Sequence, residues 1–240
     1  VFAACFAGSA QADWAPGEPH KMHFPQLPDE DGWDVASYAF PHDLGDDWQC
    51  SASGPVSDIH FWVSFEGHSD EGVPAGVDLN NLTAQIWSNN PSGPNGYSIP
   101  DEQLWSLTGG TRTIRNYGSG NQGWDDPFED SFTLNDHTEY FQINITDIDD
   151  PFIQQQGEIY WLVLNFNQVS QDPRMGWKTS QNEFMDAAVF SIASPTNGWG
   201  DLLNPQTQDR FDMAFVITPE PSSLVLLAVG GVVLLRRRRA

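Results

Sequence analysis

The sequence predicts an all-β protein: an antiparallel β-sandwich, jelly-roll-like, followed by a short C-terminal hydrophobic helix. Three observations carry this reading. Residues 58–66 alternate strictly, with Ile59, Phe61, Val63 and Phe65 on one side and Asp58, His60, Trp62, Ser64 and Glu66 on the other, the period of a half-buried strand. Similar short runs recur along the chain, separated by stretches rich in Gly, Asn and Pro such as residues 89–96 and 118–123. Between residues 13 and 218 no segment sustains a helical period with capping residues. With 10 Trp and 15 Phe in 240 residues, the chain can build a core despite its net charge of -23, so it does not read as a disordered acidic tail.

Taken in order, the chain opens with a short apolar run ending in Ala10-Gln11-Ala12. This small-x-small pattern suits a signal peptidase pocket that admits only small side chains. Residues 1–12 therefore read as the remnant of a secretory signal cut before Asp13. A buried N-terminal strand and a lipoprotein signal acylated at Cys5 are the alternatives. Residues 13 to about 35 form an irregular lead-in to the acidic domain that spans 13–218. After the strand at 58–66, Leu82–Trp87 and Glu139–Thr146 repeat the alternation. Glu158–Phe166 is almost continuously apolar and reads as a central strand buried on both faces. Further short strands are expected at 187–192 and 211–217.

Charge and cysteine content bound the function. There are 33 acidic against 10 basic residues, and the isoelectric point is about 4.1. Four of the ten basic residues are Arg236–Arg239 at the chain end. A nucleic-acid surface needs Lys and Arg to neutralise phosphates, so that partner class is excluded. Between residues 13 and 218 the single cysteine is Cys50. That segment cannot form an internal disulfide, and Cys50 reads as a small buried hydrophobe.

Motifs for catalysis are weak. Gly118-Ser119-Gly120-Asn121-Gln122-Gly123 fits G-x-G-x-x-G in letters, but a dinucleotide site needs a preceding hydrophobic strand and a following helix; the segment reads as a loop. No G-x-S-x-G and no H-E-x-x-H is present. His20 and His23 sit in a proline-flanked lead-in and read as solvated. Two acidic clusters are candidates for calcium, the one cofactor in view: Asp29, Asp31 and Asp34 around Gly32, and Asp147, Asp149 and Asp150 before Pro151. Alternating oxygens with a turn-permitting Gly suit Ca²⁺, while acidic turns that merely keep a secreted domain soluble are the plainer account. Trp62, Trp87 and Tyr140 fall opposite the aliphatic set of their strands. If exposed, they could stack on sugar faces, with Asp58, His60 and Gln85 as hydrogen-bonding neighbours. Packing in a core is the competing use of such aromatics.

At the other end, Pro219-Glu220-Pro221 precedes an uncharged run, 222–235, and the arginines Arg236, Arg237, Arg238 and Arg239. As a helix, the run would span roughly 21 Å, short of a ~30 Å hydrocarbon core, with the arginines held on the cytoplasmic side. These three parts in order, over residues 219–240, resemble the PEP-CTERM sorting signal. The resemblance implies processing by exosortase, transient insertion in the inner membrane through 222–235, and delivery to the cell envelope or extracellular matrix. A permanent, uncleaved tail anchor is the alternative. Asp46-Asp47-Trp48-Gln49-Cys50 with Ser53–Trp62, and later Gly176-Trp177-Lys178-Thr179-Ser180 with Asp186–Phe190, resemble an uncharacterised secreted domain of Planctomycetes PEP-CTERM proteins. That resemblance implies architecture and location and no activity.

The expected function is thus a non-enzymatic, exosortase-sorted envelope or matrix protein. A carbohydrate-binding module for exopolysaccharide and a cryptic glycoside-acting enzyme are the alternatives, and exopolysaccharide or other envelope proteins are the candidate partners besides exosortase. No catalytic residue is named.

Overall fold

In the computed structural model, residues 13–37, 42–93, 96–166, 169–170, 172–191 and 198–219 are described. The signal remnant 1–12, the motif residues Glu220 and Pro221, the apolar run and Arg236–Arg239 lie outside them, so the expected C-terminal helix does too. The strands in chain order are β1 (Trp33–Ala36), β2 (Leu44–Gln49), β3 (Gly54–Pro55), β4 (Asp58–Phe65), β5 (Thr83–Asn90), β6 (Ile99–Ser106), β7 (Thr111–Asp126), β8 (Ser131–Thr146), β9 (Ile153–Gln154), β10 (Ile159–Asn165), β11 (Met175–Lys178), β12 (Val189–Ser191), β13 (Trp199–Asp201) and β14 (Phe215–Thr218). The expectation of an all-β protein holds.

The layers differ from two open leaves. One sheet runs β11-β1-β7-β8-β4-β14, and β11 also pairs with β4. The strands β11, β1, β7, β8 and β4 therefore close into a ring. Two strands share one edge of β4. β14 occupies its first half, Phe215 to Phe61 through Thr218 to Asp58. β11 occupies the second, Met175 to Phe65 and Trp177 to Val63. Closure removes the exposed edges that an open sheet would present. One pairing in the ring is parallel, β1 with β7; the others are antiparallel. The second sheet, β13-β12-β2-β10-β5-β6, is antiparallel throughout.

Alternation decides what each face meets. Ile59, Phe61, Val63 and Phe65 of β4 join Phe141, Ile143 and Ile145 of β8 in the core between ring and second sheet. There they meet Trp48, Leu162, Leu164 and Phe166. Phe61 stacks on Phe166 with centroids 6.0 Å apart, and the Trp177 ring stands edge-on to Phe215 at 6.0 Å. Both buried indoles that matter here keep a partner: Trp177 Nε1 donates to Ala214 O at 2.9 Å and Trp48 Nε1 to Gln154 Oε1 at 3.1 Å. Each such side chain contributes about 1.5–3 kcal/mol by burial. β10 is central, flanked by β2 and β5, and Tyr160–Asn165 are buried, as the apolar run predicts. Its outward set builds a second cluster of Trp87, Trp161, Val163, Val189 and Trp199.

Residues 118–123, read above as a loop, belong to β7. The register shifts at 116/118, 119/122 and 122/124, and these bulges absorb a run of Gly, Ser and Asn that has little strand propensity of its own. A long hairpin partner, β8, supplies the pairing that the local sequence lacks. The turn between them is fixed by Asp126, whose Oδ1 accepts the N–H groups of Phe128 and Glu129 at 3.1 and 3.2 Å.

Close approach inside the ring makes one glycine a sensitive position. A Cβ on Gly176 would lie 2.7 Å from Trp124 Cζ3 and 3.0 Å from Val35 O. Gly176→Ala is expected to destabilise the fold by about 1–3 kcal/mol through overpacking, read as a lower urea midpoint at unchanged slope.

Candidate functional site

The second face of β4 is the one that sequence reading takes for solvent-facing. Because the sheet closes, that face lies inside the ring. Cross-strand pairs align His60 with Asn144, Trp62 with Gln142 and Ser64 with Tyr140, then Arg115 with Gln142 and Gly118 with Tyr140. Asp34 pairs with Lys178, and Gln122 with His137. The ring interior is thus largely polar, with aromatic walls.

This placement corrects the carbohydrate reading. Trp62 is fully buried, edge-on to Trp14 at 6.2 Å and to Tyr117 at 5.3 Å. Tyr140 is buried in the same interior, while Trp87 is buried on the other sheet against Trp199, 6.0 Å away. Trp62, Trp87 and Tyr140 therefore form no common exposed platform. His60 is buried and spends its ring on Asn144 Oδ1, 2.7 Å from Nδ1, and on Thr218 Oγ1, 3.4 Å from Nε2; burial pushes its pKa down to about 4. Asp58 is half-buried, and burial with the Asp147 charge beside it raises its pKa to about 6. Gln85 accepts from Trp87 Nε1 at 2.8 Å.

The calcium reading of Asp29, Asp31 and Asp34 fails for a similar reason. Asp31 is exposed, its Oδ1 accepting from Asn121 N at 2.8 Å. Asp34 points into the ring instead, where Lys178 neutralises it. Asp147, Asp149 and Asp150 are exposed in the loop after β8. Among the described residues no three His, Cys, Asp or Glu side chains converge as a metal site. Cys50 is buried, as expected of a small hydrophobe. His23 is not simply solvated: it stacks on Phe184 at 3.5 Å, and burial lowers its pKa to about 3.

Two charged groups that sequence reading did not single out dominate the interior. In the ring, Lys178 Nζ lies 3.3 Å from Asp34 Oδ2 and donates to Gln122 Oε1, with the Tyr140 ring 5.0 Å away. His137 Nε2 lies 3.2 Å from the same Asp34 oxygen, and its Nδ1 3.0 Å from Asp136 Oδ2. Burial opposes a charge on His137, but hydrogen bonds to Asp136 and Asp34 win and raise its pKa to about 9. The imidazolium then donates from both nitrogens. Burial also pushes Lys178 below the ordinary amine range. At Asp34, burial works upward and is outweighed by Lys178 and His137, so its pKa is lowered. The Ser64 hydroxyl beside Asp34 works in the same direction.

Around β2 lies an acid-rich group. Asp46, Asp47 and Asp212 are all buried. Asp46 Oδ2 accepts from Gln26 Nε2 at 2.8 Å and Met213 N at 2.6 Å, and Gln26 Nε2 also reaches Asp212 Oδ2 at 3.5 Å. Both Asp47 oxygens lack a partner. Burial, then neighbouring carboxylates, push Asp46 and Asp47 well up. Burial raises Asp212 to about 7, against the pull of the Phe184 N–H. The signal for both groups was in the quoted blocks, since Asp46-Asp47 and Lys178 stand inside them; nothing local says that those charges face inward.

The third feature is the junction at the end of β14. Thr218 is buried, its hydroxyl 3.4 Å from Asp58 O, and Ile217 O accepts from Lys21 N at 2.8 Å. The lead-in thus seals the outer edge of β14, and Pro219 follows directly. Residues 218–239 match the PEP-CTERM protein-sorting motif, and residues 22–218 match the domain of unknown function DUF7901. The chain belongs to the DUF7901 family. No curated protein and no solved structure matches it. The DUF7901 match ends at the last residue of β14, where the sorting motif begins. That motif implies processing by exosortase, with export to the cell envelope or beyond. Among the described residues no helix is long and apolar enough to cross a membrane.

Proposed function

We propose that this DUF7901 protein is a non-enzymatic β-domain that exosortase releases from the inner membrane into the envelope or extracellular matrix. It would be one of the secreted domains that accompany such signals in Planctomycetes, a lineage suggested by the blocks at 46–62 and 176–190. The observation that carries the sorting reading is the junction: the sorting motif starts at Thr218, the final buried residue of the strand set beside the ring seam. Processing at the motif frees the domain without removing any strand. The non-catalytic reading is supported by how the interior groups are used. His60 is engaged by Asn144 and Thr218, and Asp34, His137 and Lys178 by one another, Asp136 and Gln122. The aromatics that would serve sugar binding are buried in two separate places.

The test is replacement of Pro219, Glu220 and Pro221 by Ala in the full chain, expressed in an exosortase-bearing host and followed by fractionation. The expected result is a helix-bearing precursor held in the inner membrane, with the wild type shortened and exported. Unchanged export of a shortened form by the variant would overturn the proposal, and a wild type that is never shortened would establish a permanent tail anchor.

A further inference from the structure

We propose that Lys178 and Asp34 condense into an intramolecular amide bond that staples β1 to β11 inside the ring. Four observations point there. The two residues are directly opposed across an antiparallel pair, with Nζ 3.3 Å from Oδ2 and both side chains at 0% exposure. The reacting groups are thus held together, which converts a bimolecular condensation into an oriented intramolecular one. Bulk water, which would oppose dehydration, is kept away. His137 places its Nε2 on the same Asp34 oxygen at 3.2 Å and is itself held from behind by Asp136 at 3.0 Å. It is placed to stabilise an oxyanion on Oδ2 as a fixed donor. Both the Lys178 and the His137 contacts are on Asp34 Oδ2, which leaves Oδ1 as the oxygen to depart.

The step balances without any co-reactant. A proton passes from the Lys178 ammonium to Asp34 Oδ1, the oxygen that His137 does not hold, against the hold that Lys178 and His137 keep on the carboxylate but relieving the desolvation that burial imposes on both charges. The Nζ lone pair then attacks Asp34 Cγ, with an N–H still donated to Gln122 Oε1. Negative charge gathers on Oδ2 under the His137 N–H. A proton moves from nitrogen to the Oδ1 hydroxyl, the Cγ–Oδ1 bond breaks, one water leaves and the Oδ2 carbonyl re-forms. His137 ends as it began. The product keeps one amide N–H for Gln122 and one carbonyl for His137, so no new polar atom is stranded. In this reading His137 acts on the reacting atoms, and Asp136 is a positioning residue. A domain with a single cysteine between residues 13 and 218 would gain from this bond the covalent closure that other exported domains obtain from disulfides.

The experiment is peptide mapping of the purified full chain, digested with trypsin after denaturation. A branched peptide is expected that joins the segment bearing Asp34 to the one bearing Lys178. It should be lighter than the two together by one water, with no cleavage after Lys178. Asp34→Ala should restore that cleavage, and Asp136→Asn should lower the linked fraction in freshly folded protein while leaving Lys178 and Asp34 present. The wild-type digest decides even if a variant fails to fold. Cleavage after Lys178 with both peptides at their sequence masses overturns the proposal. So does a branched peptide that has lost ammonia, since that places the bond on Gln122.

Discussion

Asp212→Asn is expected to leave stability near wild type at pH 4 and to raise it by about 3 kcal/mol at pH 8. The side chain is buried, and its pKa is pushed from an ordinary 3.8 to about 7. A carboxyl whose folded pKa lies above its unfolded value binds more protons in the fold. Its favourable contribution is therefore complete below the unfolded pKa, falls as pH rises through the window from 3.8 to about 7, and is gone above it. Asn keeps an acceptor for Phe184 N and cannot ionise, so the gain over wild type should grow through that same window and then level off. The full upward shift would correspond to roughly 4 kcal/mol; sharing protons with neighbouring Asp46 lowers what one substitution recovers. The comparison has to be made between variant and wild type at each pH, because other groups titrate with the opposite sign. His60 and His23, buried neutral with pKa values of about 4 and about 3, contribute stability that is present above 6.5 and lost as pH falls toward those values. Urea unfolding at pH 4, 6 and 8 reads the difference directly. A gain that is the same at all three values would mean that Asp212 is not protonated in the fold.

How far the sequence discloses this architecture depends on whether the cause is local. The alternation of Asp58–Phe65 and the apolar run at Ile159–Asn165 are local, and both strands are where they are expected. β7 is not local: Gly118, Ser119, Gly120 and Asn121 have no strand propensity worth the name, and they are extended because β8 offers a long partner and the bulges absorb the misfit. The polar face of β4 is the sharper case. His60, Trp62 and Ser64 carry the pattern of a wet face, and only the pairing of β11 with β4, more than a hundred residues apart, turns that face inward. Trp62 as a sugar platform and Asp34 as a calcium ligand fail through this one closure. Asp46 and Asp47 on the second sheet are buried for an equally non-local reason: they pair with Leu162 and Trp161 of β10, and Gln26 of the lead-in reaches Asp46 and Asp212 from distant parts of the chain. The end of the domain, by contrast, was legible, because the sorting motif is a linear signal whose parts follow one another.

The ring closure also makes the Asp34–Lys178 pair a test of how charge is held inside it. Asp34→Ala is expected to cost about 3–5 kcal/mol, because it strands the Lys178 amine in a dry interior and leaves His137 with Asp136 alone. Lys178→Met should cost a similar amount by removing the partner of a carboxylate that then relies on His137 alone. The double variant Asp34→Val with Lys178→Met removes both problems and puts apolar volume near the Tyr140 ring, which the Lys178 Nζ now faces at 5.0 Å. It should therefore be more stable than either single variant, even though two native side chains are gone. The ordering among variants is independent of whether the wild-type pair is ionic or joined, since none of the three can form the amide. Residues in contact within one network are those whose effects fail to add, and an interaction of a few kcal/mol in a double-mutant cycle is the expected size for a desolvated pair. Simple addition of the two single losses would place the charges in contact with water and leave the ring interior wet. A double variant that recovers stability would identify the ring itself, closed by β11 on β4, as the structure that the buried pair serves to fix in register.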